Sequence, residues 1–162
     1  MIVLRDLVDD DVATFFEHWV DEEALRMAAF TPADVHDRSV FAERWQRQRR
    51  DSSVLVKTIE HDGEPVGSIG SWGNESHREV TYWIGRAHWG KGIATEALLA
   101  FLELERTRPL YAAAAADNAA SLRVLAKAGF RVTGGGRAYA NAGQREVDEV
   151  SLRLDPTAPS RL

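Results

Sequence analysis

Apolar residues along the chain switch between two spacings, and the switches mark the elements. Val12, Phe15, Phe16, Trp19 and Val20 recur at helical spacing behind the Asp9–Asp11 cluster, which predicts a helix with an aspartate N-cap and favourable first-turn charge. Val40, Phe41 and Trp45 predict a second helix over about 39–50. Ile93, Ala94, Ala97, Leu98, Phe101 and Leu102 predict a third, which ends before Pro109. A fourth is expected from an Asp117 or Asn118 cap through Ala128, with Gly129 as its C-terminal stop. Between these lie strand-like runs: Ile2–Leu4, Val54–Ile59, Val66–Trp72, Glu79–Ile84, Phe130–Thr133 and Glu146–Leu154. Asp62-Gly63 predicts a hairpin joining the second and third of them. The segment 22–32 carries no firm pattern.

One stretch poses a conflict. Leu110-Tyr111-Ala112-Ala113-Ala114-Ala115-Ala116 has helical propensity but sits between Pro109 and a helix cap. A short run between two helices suits a strand, and a strand is expected there. The last two strands are expected to be joined by a Gly-rich, polar loop that includes Tyr139. The order of elements predicts an α/β (α+β) domain around one sheet. A domain over 1–155 and a loose tail over 156–162 are expected.

The bulk numbers narrow the class. The 162 residues suffice for one domain with a sizeable core. Hydrophobic content of 44% and charged content of 28% are globular values. A net charge of −5 weighs against a broad nucleic-acid surface. Cysteine is absent, which removes disulfides, a thiolate nucleophile and cysteine metal ligands, and the five histidines show no ligand spacing. No metal is expected. The N-terminal segment is acidic, unlike a signal peptide, and no apolar run reaches membrane length, so no membrane contact and a cytoplasmic location are expected. Asn74-Glu75-Ser76 matches a glycosylation sequon and is read as chance.

The chemistry concentrates in Ile84-Gly85-Arg86-Ala87-His88-Trp89-Gly90-Lys91-Gly92-Ile93-Ala94-Thr95. A strand breaks into a glycine turn that opens a helix. Such a turn presents backbone N–H groups without side-chain obstruction, a seat for phosphate. Gly85 to Gly92 nearly spells a nucleotide-binding P-loop, but Gly92 stands where a Mg²⁺-binding hydroxyl belongs. The nucleotide-hydrolase reading is weak for that reason.

Trp89-Gly90-Lys91-Gly92-Ile93-Ala94 resembles instead the acetyl-CoA loop of GCN5-related N-acetyltransferases, Gln/Arg-x-x-Gly-x-Gly/Ala. Trp89 replaces the Gln/Arg, as in the branch of ribosomal-protein-alanine N-acetyltransferases. Asn118-Ala119-Ala120-Ser121 followed by Lys127-Ala128-Gly129-Phe130 is similar to a second signature of that branch. The resemblance implies a single domain built on a mixed, mostly antiparallel twisted sheet of about six to seven strands flanked by about four helices. It implies an acyltransferase that moves the acetyl group of acetyl-CoA to a primary amine, on a small molecule or a protein N-terminus, without metal. It implies that Ile84, Gly85, Trp89, Gly90, Lys91, Gly92, Ile93, Ala94, Thr95, Asn118 and Ser121 bind the coenzyme. The pantetheine arm would enter between the strands at 79–84 and 110–116, where small alanines leave room or simply pack under a helix.

Acyl transfer wants an oxyanion donor, a proton acceptor and a thiolate stabiliser. A backbone N–H near Ile84 is the candidate donor. The resemblance implies Ser121 at the sulfur, and Glu79 as a base working through water. Tyr139 is an alternative proton donor. Ser121 could equally be an exposed helix serine, Asn118 a plain N-cap, and Glu79 a solvated strand-end carboxylate. Arg44, Arg47, Arg49 and Arg50 form a basic cluster, read as a solvated face or a seat for an acidic or phosphorylated substrate. Phe15, Phe16, Trp19 and Phe41 are read as core. A non-catalytic acyl-CoA-binding module is the alternative function, and a homodimer is left open.

Overall fold

The computed structural model describes residues 1–141 and 144–157. Seven strands form one sheet: β1 (Ile2–Arg5), β2 (Leu55–His61), β3 (Glu64–Trp72), β4 (Arg78–Ile84), β5 (Leu110–Ala115), β6 (Arg131–Ala140) and β7 (Arg145–Leu154). Five helices accompany them: α1 (Asp9–Trp19), α2 (Glu22–Ala28), α3 (Arg38–Arg50), α4 (Ile93–Leu104) and α5 (Ala119–Lys127). The strand order is β1-β2-β3-β4-β5-β7-β6. Every neighbouring pair is antiparallel except β4 and β5. This is the mixed, mostly antiparallel sheet that the resemblance implies.

Helices cover the two faces with separate cores. On one face Ile59, Val80, Ile84 and Leu110 pack against Leu98 and Phe101 of α4 and Leu125 of α5. Leu98, Phe101, Ile59 and Leu110 are fully buried, and such side chains stabilise by about 1.5–3 kcal/mol each. On the other face Val12, Phe15 and Phe16 of α1 pack with Phe41 of α3. The alanine run is a strand, and Asp62 and Gly63 both take positive φ in the β2–β3 turn, as expected.

Two expectations need correction, and one segment without a firm pattern is resolved. Among the described residues there are five helices, where about four were expected, because 22–28 folds as α2; Asp21 caps it by accepting from the Ala24 N–H at 3.0 Å. The α1 N-cap is Val8, not an aspartate; Asp11 sits in the first turn and accepts the Val8 N–H at 2.9 Å. The Gly-rich segment is not a loop but the middle of β6, paired with β7 through a register shift between Val132 and Gly134. A Cβ on Gly135 would lie 2.5 Å from the Glu149 carbonyl, so glycine here permits close strand approach. Parts of the polar turn before β7 and of the tail expected over 156–162 lie outside the described residues.

The feature that positions the site is a short pairing. β4 and β5 share only Arg78↔Leu110 and Glu79↔Tyr111, whereas β5 runs alongside β7 from Leu110 to Ala115. Beyond Glu79 the two parallel strands part, and the sheet opens. An ion network pins the closed end. Arg78 and Glu105 form a buried ion pair, and the Ser71 hydroxyl donates to the same Glu105 oxygen at 2.6 Å. Burial pushes the Glu105 carboxyl up, but hydrogen bonds from Ser71, Arg78 and the Thr107 N–H outweigh it and hold it below the usual range. Stranding one member of such a pair costs about 3–5 kcal/mol.

Candidate active site

A cleft of about 830 Å³ runs through the gap between β4 and β5 and reaches both faces of the sheet. Val80 and Tyr82 from β4, Ala112 and Ala114 from β5, and Asn118, Ser121 and Leu125 around α5 line one arm. The other arm is walled by α1, α3 and β3, with Glu79, Thr81 and Trp83 as its β4 side. Side chains alternate across a strand, so neighbouring β4 residues serve opposite arms.

The same alternation aims the β4 backbone. The Gly85 N–H donates to the Val66 carbonyl on β3 at 2.9 Å. Residues of the opposite parity, Val80, Tyr82 and Ile84, therefore turn their N–H and C=O groups toward the gap. The Ile84 carbonyl accepts the Trp89 indole N–H at 2.8 Å, which agrees with that direction. An extended ligand entering the gap meets a row of strand hydrogen-bonding groups.

At the end of β4 the chain makes a short 3-10 turn over Arg86–His88 and enters α4. Gly90 and Gly92 take φ of +75° and +76°, and a Cβ on either would meet nothing within 4 Å. Both require glycine for conformation and leave open space above the backbone. The first helical bond runs from the Glu96 N–H to the Gly92 carbonyl, so the N–H groups of Ile93, Ala94 and Thr95 lack helical acceptors. With Lys91 exposed beside them, these donors and the helix dipole suit a pyrophosphate. The turn lies beyond the cleft walls, past the last cleft-lining residue of β4, Trp83.

Asn118 and Ser121 meet in the cleft. Asn118 caps α5 by accepting the Ser121 N–H at 3.2 Å, and its amide donates to the Met27 carbonyl of α2 at 3.3 Å. The Ser121 hydroxyl lies 2.7 Å from the Tyr82 phenol. Burial pushes the Tyr82 phenol up, more than its bond to Ser121 lowers it. Glu79 lines the opposite arm, half-exposed, with His77 Nε2 3.1 Å from its carboxylate. The His77 ring stacks on Tyr111 at 4.3 Å and is 60% exposed, so it links Glu79 to solvent.

Ser121 and Glu79 thus share one cleft from opposite faces. Tyr139 does not join them. It sits 57% exposed on β6, the edge strand, and does not line the cleft. Half of the basic cluster is spent on carboxylates: Arg44 binds both oxygens of Asp34, and Arg49 binds Asp9 at 2.5 Å. Phe15, Trp19 and Phe41 are buried or half-buried core residues and also line the cleft, so the core reading of them is incomplete.

Sequence reasoning missed Tyr82, His77 and His18. Tyr82 carries a polar tip within the inward stripe Val80–Tyr82–Ile84, a signal available from alternation alone. His18 lines the cleft and packs against Gly85, where a Cβ would lie 2.7 Å from its ring. Burial, and then His88, hold its pKa below the ordinary value. Among the described residues no group of three or more His, Cys, Asp or Glu is placed to hold a metal ion. No described helix is long and apolar enough to cross a membrane.

The comparisons with known proteins agree on one family. The model of the acetyltransferase (GNAT) domain matches residues 2–131. The uncharacterized N-acetyltransferase p20 of Bacillus licheniformis is 28% identical over 167 residues, covering 94% of this chain and 92% of that protein. The fold is shared with a ribosomal-protein-alanine N-acetyltransferase from Brucella melitensis, at TM-score 0.79 and 20% identity over 95% of this chain and 99% of that one. It is also shared with Mycobacterium smegmatis RimJ, solved with a CoA disulfide, at TM-score 0.78 and 23% identity over 95% and 81%. The chain therefore belongs to the GNAT family of acetyl-CoA-dependent N-acetyltransferases.

Proposed function

We propose that this chain acetylates a primary amine by direct attack on the acetyl-CoA thioester, within the split between β4 and β5. The observation that carries the reading is a cleft crossing the sheet, with Ser121 in one arm and Glu79 in the other. The two arms give two substrates separate approaches to one point.

The residues divide the work. The turn over Trp89–Thr95 offers backbone N–H groups to the coenzyme pyrophosphate. The gap-facing groups of Val80, Tyr82 and Ile84 pair with the pantetheine arm as an added strand, and the small Ala112 and Ala114 side chains leave it room. As nitrogen bonds to the carbonyl carbon, the carbonyl oxygen gains charge that a β4 N–H near Ile84 stabilises. The C–S bond then breaks, and the Ser121 hydroxyl, held by Tyr82, faces the leaving thiolate. The ammonium proton leaves through water to Glu79 and on through His77 to solvent. The acceptor is a small-molecule amine or a peptide N-terminus.

The test is thiol release. Purified protein with acetyl-CoA is offered an amine panel, and free thiol is followed; calorimetry measures coenzyme A binding with EDTA present. Binding that survives EDTA, with amine-dependent thiol release, is expected. Binding without thiol release for any amine would make the chain an acyl-CoA-binding module. Loss of binding in EDTA would remove the metal-free seat at 89–95.

A further inference from the structure

The acceptor arm has a composition that the transfer chemistry does not require. Seven aromatic side chains, Phe15, Trp19, Phe30, Phe41, Trp45, Trp72 and Trp83, line it from five separate segments of the chain. They form a linked wall. Trp19 and Trp83 lie 4.6 Å apart between ring centroids, Trp19 and Phe41 5.6 Å, and Phe41 and Trp45 6.2 Å, all tilted. Trp19, Trp45 and Trp83 are only half-buried, so part of each ring stays open to the cleft although Trp19 and Trp45 also pack on the core. Offset and tilted rings of this kind receive a flat apolar body well.

Charge narrows the choice. Among the described residues lining the cleft, Arg44 is the one Arg or Lys, and Asp34 holds it through both carboxylate oxygens at 2.8 and 3.0 Å. The other basic group is His18, which burial keeps toward its neutral form. No lining cation is left to meet a carboxylate or phosphate on the acceptor. Glu79 and Glu149 line the arm with negative charge, which suits a single ammonium at the gap. A third carboxylate, Asp51, is turned onto the Ser53 N–H and hydroxyl at 2.9 and 2.6 Å. A chain of spaced cations therefore lacks a matching chain of free carboxylates.

We infer that the acceptor arm takes an aryl-alkylamine: one primary amine on a flat aromatic body, without acidic groups. This rests on the acetyl-transfer reading above and names the acceptor for the same site. The ring lies against the Trp19–Trp83–Phe41–Trp45 wall, and the short alkyl link carries the nitrogen toward Glu79 and the gap.

The test compares acceptors on the full chain. Thiol release from acetyl-CoA is measured with 2-phenylethylamine and tryptamine, against hexylamine, spermidine and an aspartate-rich peptide with a free N-terminus. The kcat/KM for 2-phenylethylamine should exceed that for hexylamine by about tenfold, the size of a stacking preference. It should exceed that for the acidic peptide by more. Trp83→Leu and Trp45→Leu should each pull the phenylethylamine-to-hexylamine ratio toward one. Trp45 stands on α3 away from the sheet backbone, so its variant tests the wall even if Trp83→Leu fails to fold. Faster turnover of hexylamine, spermidine or the peptide overturns the aryl assignment and leaves acetyl transfer standing. Coenzyme A binding without thiol release for any amine overturns both.

Discussion

The two arms of the cleft are built by opposite means. The coenzyme arm is mostly backbone: turned-out strand groups of β4, a glycine turn with φ near +75°, a helix N-terminus and a run of alanines. The acceptor arm is mostly side chains, gathered from α1, α3, β3, β4 and the segment after α2. A backbone site needs particular residue types at fixed short spacings, because only glycine tolerates the turn and only a small side chain clears the gap. A side-chain site needs only bulk and polarity brought together by the fold. The first kind leaves a mark in the sequence. The second does not.

The largest expected effect breaks the coenzyme arm at its chemistry. If Ser121 stabilises the departing thiolate, its contribution appears only in the transition state. Ser121→Ala should then lower kcat by about tenfold to a thousandfold, like the loss of one oriented donor. The dissociation constant for coenzyme A, measured by calorimetry, should barely move. An unchanged kcat would reduce Ser121 to a helix serine that happens to bond Tyr82.

The next effect breaks the same arm at its seat. Gly92→Val places a branched side chain at φ +76° and fills the space above the turn. Coenzyme A binding should weaken by about one to two orders of magnitude, the scale of one charge-assisted hydrogen bond. The KM for the amine, extrapolated to saturating acetyl-CoA, should hold. A parallel rise in the amine KM would mean that the two arms are not separable.

That contrast also explains how much of the molecule was legible. The strands, four of the helices, the hairpin and the Asn118 cap carry local signals, and the structure bears them out. The α2 segment had its Asp21 cap and acidic first turn, but seven residues give too short a stripe to read. β6 hid behind Gly134–Gly136, since glycine is depleted in strands; of the three, only Gly135 meets a close neighbour, the Glu149 carbonyl, and that contact comes from the pairing with β7. Tyr139 was ambiguous for the same cause, and placing β6 at the sheet edge takes it out of the cleft. The aromatic wall was legible only as core, because helical spacing says that a ring faces inward and not what shares its space. Tyr82 was readable as an inward residue, but its partner Ser121 is a matter of tertiary structure.

A smaller effect should arise in the acceptor arm, and it should depend on pH. An alkyl ammonium titrates near ~10, so only a small share is free base at neutral pH. If Glu79 gives the proton a route, kcat/KM in the wild type should rise with pH as free amine accumulates. Glu79→Gln should depress it most at neutral pH, with partial recovery at high pH. An acceptor with an amine pKa near ~8 should show a smaller defect than one near ~10. His77→Ala should reproduce a weaker version of the same profile, because it removes only the link from Glu79 to solvent. An equal slowing of both amines at every pH would make Glu79 a structural group at the closed end of the split.

The smallest expected effect sharpens the comparison most. Tyr82 and Glu79 stand on the same strand, three residues apart, and face opposite arms. The Tyr82 phenol lies 2.7 Å from the Ser121 hydroxyl, and burial raises its pKa above the ordinary value of 10.0. The sign matters: a raised phenol stays protonated through the whole neutral and mildly alkaline range, so its contact with Ser121 is the same wherever the enzyme is assayed. Its work as a positioning residue should therefore be flat with pH. Tyr82→Phe keeps the ring and its packing but leaves the serine hydroxyl free to turn. A fall in kcat of about threefold to tenfold follows from one neutral hydrogen bond, less than for Ser121→Ala because the hydroxyl itself survives. The ratio of wild-type to variant kcat should stay constant from pH 6.5 to about 9. Combining Tyr82→Phe with Ser121→Ala should add nothing to the serine defect, since the phenol acts through the serine. If the Tyr82→Phe defect instead varies with pH as the Glu79→Gln defect does, or adds to Ser121→Ala, the phenol handles a proton itself. The separation of the arms into a positioning side and a proton-carrying side would then fail.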